Sequence, residues 1–170
     1  DIGLRYKGYC GDACVTYPVG RVSAENERLL EIGREALRRG IAAAQFNNHL
    51  HDIGRAIEDY ADTQGVTVVH EWGGHGIGRQ LHEDLSVSHI RQPSPGPRLI
   101  PGMTFTIEPM INAGTYEWIL LPDGWTVITA DGKVSVTRKL PASILSWPWL
   151  RAVSVNSTVS PTEAIGLLPP

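Results

Sequence analysis

Residues 101–109 read Pro-Gly-Met-Thr-Phe-Thr-Ile-Glu-Pro, and residues 73–79 read Gly-Gly-His-Gly-Ile-Gly-Arg. In the first stretch Phe105-Thr106-Ile107 lead into Glu108 and Pro109, and a strand is expected over Met103–Met110. A carboxylate at the end of such a run is rarely buried unless it is paired or holds a metal, because stripping water from the charge is costly. In the second stretch, glycines on both sides of His75 let the imidazole project into a cleft while the backbone comes close to a ligand. Glu108 and His75 are therefore the first two candidate site residues. His82 lies four residues beyond Gly78 and is expected to face the same cleft as a hydrogen-bond donor.

Upstream, Ile2, Tyr6, Val15, Thr16 and Tyr17 flank Lys7-Gly8, which reads as a hairpin with a two-residue turn. That turn sets residue 1 opposite residue 14, so Asp12 lies diagonal to Asp1 on one face. Two carboxylates so placed repel unless a proton or cation stands between them, which suits a shared hard or borderline metal. Ser23 is expected to cap a helix from Ala24 to Gly40 with the apolar stripe Leu29, Leu30, Ile32, Ala36 and Leu37. A second helix is expected from Leu50 to Thr63, stopping at Gly65. Strands are further expected over Val66–His70 and Trp125–Ala130, with a proline-rich loop at Gln92–Pro101. His49, His51, His70 and His89 read as surface or structural.

The 170 residues carry 15 basic and 18 acidic side chains, a formal net charge of −3. That balance lacks the basic footprint of a nucleic-acid binder, no apolar run is long enough for a membrane span, and no charged start followed by an apolar segment suggests a secretion signal. A soluble, cytoplasmic protein is expected, with neither nucleic acid nor membrane as partner. Cys10 and Cys14 read as reduced, partly buried thiols rather than a disulfide framework.

Taken together, Asp1 and Asp12, Gly-His-Gly-Ile-Gly-Arg at 74–79 with His82-Glu83, and the 101–109 stretch resemble type I methionine aminopeptidase. The likeness continues through Asn112-Ala113-Gly114 and Asp123-Gly124-Trp125-Thr126-Val127, and covers roughly residues 1–135. It implies an α+β, pita-bread (creatinase/aminopeptidase) fold, incomplete here, with about the second half present plus an unmatched tail. It also implies two divalent metal ions (manganese, iron, cobalt or zinc) held by Asp1, Asp12, His75 and Glu108. Asp12 would touch both ions, and Glu108 would be both ligand and catalytic residue. His82 would be catalytic and bind substrate near the scissile bond, and Trp125 would lie by the methionine pocket. The implied substrate is the N-terminal methionine of nascent polypeptides, and the implied state is a monomer.

The family's closing strand reads Ser-Ala-Gln-aromatic-Glu-His-Thr, and its glutamate bridges both metals. Here Lys133-Val134-Ser135 is followed by Val136-Thr137-Arg138-Lys139, with no glutamate before Thr162. The second metal site is therefore expected to be impaired. Residues 1–135 are expected to form a partial catalytic domain, and 136–170 a divergent tail to which no structure is assigned. A frame shift near Ser135 and a segment missing ahead of Asp1 are also expected, and with them little or no activity in this chain. Two other readings stand beside this one: an inactive pita-bread fragment or partner-binding protein, and a proline-directed relative such as prolidase or aminopeptidase P.

Overall fold

The computed structural model describes residues 1–143, with side chains through Leu140. Strands β1 (Ile2–Tyr6) and β2 (Tyr9–Val15) form the expected hairpin. Its register pairs Tyr6 with Tyr9 and Ile2 with Ala13, so one further step sets Asp1 level with Cys14. Lys7 and Gly8 both take positive φ (47° and 85°), the left-handed turn whose twist matches the strands it joins.

Helix α1 runs Ala24–Ala43, its Ser23 cap accepting from the Asn26 amide, and so continues past the expected end at Gly40. Gly40 is in the helix interior because a side chain there would press into Ile57 and Ile107; the glycine marks close packing and not a stop. Helix α2 runs Leu50–Gln64 and ends on Gly65 in the left-handed conformation (φ 66°), as its sequence foretells. The Asp52 carboxylate accepts from the His49 amide at the start of α2, a capping role that gives His49 a structural function. The two helices bury Leu29, Ile32, Ala36, Leu37, Ile53 and Ile57 against Phe105, Ile107 and Ile111 of the sheet.

The sheet departs from expectation in several places. The strand foreseen over Val66–His70 is only β3, Thr67–Val68. Part of the glycine-rich stretch is itself a strand, β4 (Gly74–Gly76), paired with an unforeseen β5 (Glu83–Val87). The single strand expected over Met103–Met110 is two, β6 (Thr104–Ile107) and β7 (Met110–Asn112), parted at Glu108-Pro109. Pro109 has no amide hydrogen, and the Glu108 amide donates to His89 Nε2 (3.1 Å) rather than to a neighbouring strand. Strands β8 (Trp118–Leu120) and β9 (Val127–Thr129) make a separate exposed ribbon, so the strand expected over Trp125–Ala130 is shorter and has a partner not foreseen.

The largest departure is β10, Ser135–Ser143, which enters the stretch to which the sequence reading assigns no structure. It lies at the middle of the sheet, in the order β1-β2-β10-β6-β4-β5, with β7 also on β10 and β3 on β7. Its Ser135–Thr137 pair with β7 and its Leu140–Ser143 with β6, in one unbroken register. That register sets Lys139 level with Glu108 in the gap between β6 and β7, while on its other side Lys139 pairs with Cys14 of β2. Alternation alone gives no sign of this strand, because Val136 is the only buried apolar residue between Ser135 and Lys139. The remainder of the expected tail, 144–170, lies outside the described residues. Among the described residues no helix is long and apolar enough to cross a membrane.

Candidate functional site

Four elements converge at the level of Lys139. The hairpin supplies Asp1 and Asp12, β4 supplies His75, the break after β6 supplies Glu108, and β10 supplies Lys139. His75 Nε2 lies 3.4 Å from Asp12 Oδ2 and 3.4 Å from Glu108 Oε1. The expected ligand positions are thus brought together, with Asp12 and Glu108 buried and Asp1 largely exposed.

The second stretch works differently from its expectation. Gly74 and Gly76 are in extended strand, and side chains there would overlap the carbonyls of Thr106 and Asp84. Their use is close approach of three strands, which seats His75 rather than freeing it. The His75 amide donates to Thr106 Oγ1 (2.9 Å), and the Thr106 hydroxyl donates to Glu108 Oε1 (2.5 Å), so one buried threonine ties the two site residues together. His75 Nδ1 is 2.9 Å from the Gly76 carbonyl, which it meets as a donor, so Nε2 is the ring nitrogen that faces the two carboxylates. His75 Nε2 has no hydrogen-bond partner among the described residues. The His82 ring is 4.1 Å from the His75 ring between centroids, so His82 does face the cluster. Trp125 does not meet it: it is 88% exposed in the turn between β8 and β9, its amide bonded to Asp123.

Sequence reasoning missed three residues. Thr106 was readable only as one residue of an expected strand. His89 is almost fully buried and accepts the Glu108 amide; burial lowers its pKa from 6.5 to about 3, so the ring is neutral. Among the other histidines, His51 Nδ1 is 2.7 Å from the Ser94 carbonyl and His70 stacks on Tyr116 at 3.8 Å, both structural roles.

The third is Lys139, whose ammonium reaches Asp1 Oδ2 (3.2 Å), Asp12 Oδ2 (3.1 Å) and Glu108 Oε2 (3.3 Å). Burial alone pulls its pKa down; the Glu108 and Asp12 carboxylates outweigh that and hold it above the usual lysine value of 10.5. Carboxylates and imidazole are suitable donors for manganese, iron, cobalt or zinc. The arrangement nevertheless does not fit a pair of divalent ions, because all three carboxylates already close on one ammonium.

With sheet, helices and cluster in view, comparison with known proteins defines the class. The pattern of metallopeptidase family M24 matches residues 1–139, and the chain belongs to that family. It is similar to methionine aminopeptidase B of Synechocystis, 49% identical over 135 residues, which cover 79% of this chain and 49% of that protein. It is also similar to methionine aminopeptidase 1 of Bacillus subtilis, 46% identical over 133 residues, 78% of this chain and 54% of the relative. The crystal structure of methionine aminopeptidase from Rickettsia prowazekii superposes with a TM-score of 0.81 at 38% identity, covering 84% of this chain and 58% of that one. The α+β pita-bread fold expected from the sequence is the fold found. The chain spans about half the length of the curated relatives it matches.

Proposed function

We propose that this chain carries the ligand-bearing part of a type I methionine aminopeptidase, a metal-dependent exopeptidase that removes the N-terminal methionine from nascent polypeptides in the cytoplasm as a monomer. The observation that supports this is the meeting of Asp1, Asp12, His75 and Glu108 from separate strands around one point, with His82 alongside. In such a site Asp1, Asp12, His75 and Glu108 would hold divalent ions, whose chemistry when bound would be to activate water and polarise a carbonyl. Because Lys139 closes the carboxylates here, no catalytic step through metal is derived for this chain. His82 is assigned to hydrogen-bond the substrate near the scissile bond. Trp125, an exposed indole of the kind that packs on methionine sulfur, is assigned to the methionine side chain.

Nuclear magnetic resonance on the 170-residue chain tests the reading. A Met-Gly-Met peptide is expected to shift the His82 and Trp125 side-chain resonances, and its N-acetylated form to leave them in place. Equal effects from both peptides, or none from either, would overturn the assignment of substrate. Release of methionine is expected to be little or none with manganese or cobalt present. The ion cluster around Lys139 favours a second reading, an inactive pita-bread protein, which release of methionine would exclude.

A further inference from the structure

We propose that the Lys139 ammonium is a resident cation that stands in this chain for one divalent ion, so that the cluster assembles without a metal pair and cannot take one up. The inference rests on the assignment of Asp1, Asp12, His75 and Glu108 as ligand positions.

The geometry matches donor to acceptor. An ammonium has three N–H donors and no acceptor, and three carboxylates lie within 3.3 Å of Lys139 Nζ. The lysine is buried, as are Asp12 and Glu108, so the attraction is little screened by solvent. Asp12 and Glu108 each give Lys139 an oxygen, and the other Glu108 oxygen accepts from Thr106. A divalent ion shared by these carboxylates would have to lie within a few ångströms of a fixed positive charge. The backbone fixes where that side chain starts, Lys139 being level with Glu108 on one side and with Cys14 on the other in the middle of a sheet, and the three carboxylates hold its ammonium. Removing the residue from the cluster by a strand slip would break the register of three strands. One side chain of the cluster does not meet the lysine: His75 Nε2 faces Glu108 Oε1 and the Asp12 Oδ2 it shares with Lys139, so at most one divalent ion is compatible with the chain.

Titration of the full chain with Co²⁺, followed by visible absorption and calorimetry, tests this against the Lys139→Gln variant. The wild-type chain is expected to take up no more than one equivalent at the cluster. The variant is expected to gain an equivalent bound at least about tenfold more tightly, since one repelling charge is gone, and to lose that gain when Asp12→Asn is added. Two equivalents on the wild-type chain, abolished by His75→Ala, would overturn the proposal and leave the ligand assignment standing. No gain in the variant would also overturn it. No uptake by either chain would overturn the ligand assignment as well.

If Lys139→Gln does not fold, the wild-type chain still decides the matter. The Lys139 ammonium proton resonance is expected to persist at two equivalents of Mg²⁺ or Zn²⁺, with any change in its shift complete at one equivalent; its loss, or a further shift with the second equivalent, would overturn the proposal.

Discussion

Glu108 and His89 are joined at the break between β6 and β7: the Glu108 amide donates to His89 Nε2 at 3.1 Å, both residues buried. The bond turns the chain out of the sheet where the site carboxylate is needed. It requires Nε2 to be free of a proton, which agrees with a burial-lowered pKa of about 3. Unfolded, the ring takes its proton near pH 6.5. Between those values the unfolded chain binds more protons than the folded one, so stability falls as pH drops from 6.5 toward 3, by up to about 1.4 kcal/mol per pH unit. Urea unfolding over that range, compared with His89→Leu, is expected to show the slope in the wild-type chain and its reduction in the variant.

Thr106 accepts from the His75 amide and donates to Glu108. Thr106→Val keeps the shape and leaves both partners buried without it, which is expected to cost about 1–3 kcal/mol in chemical denaturation. Thr106→Ser is expected to restore most of that loss.

Removing the lysine charge isolates two buried carboxylates. Lys139→Met is expected to lower stability by about 3–5 kcal/mol, the usual cost of breaking a buried ion pair from one side. Adding Glu108→Gln to Lys139→Met is expected to recover part of it, a coupling that a double-mutant cycle in urea measures.

Gly40 and Gly65 separate two uses of glycine. Gly40→Ala raises helix propensity by ~1 kcal/mol, yet forces a methyl into Ile57 and Ile107, and a net loss of about 1–3 kcal/mol is expected. Gly65→Ala meets nothing in space but must hold φ 66°, and is expected to cost ~1 kcal/mol through the backbone alone. Thermal unfolding of both variants checks the contrast.

Trp125 is 88% exposed, and Trp125→Ala is expected to change unfolding free energy by less than about 0.5 kcal/mol. A larger loss in the melting curve would mean that the indole packs on the fold.

Local chemistry alone was enough to read the hairpin at Lys7-Gly8, the Ser23 cap, both amphipathic helices and the stop at Gly65. Each depends on a turn dihedral, a side chain three residues away or a 3.6-residue period, all of which are contained within a few neighbouring residues. The residues that meet in the cluster were legible in part, Glu108 as a carboxylate closing an apolar strand and Asp1 with Asp12 from the hairpin turn, while a ligand role for them comes from the family resemblance alone. What the glycines beside His75 do was not legible: the carbonyls that crowd Gly74 and Gly76 belong to Thr106 and Asp84, known only once the strands are placed. Nor were the unfolded-looking approach to β10 and the burial of His89 and Lys139. Lys139 lies 127 residues from Asp12 and 138 from Asp1, and its meaning comes from a register shared by three strands. Charge pairing at that separation has no signature in a local pattern, since its energy exists only after the sheet has brought the partners within hydrogen-bond reach and excluded the water between them.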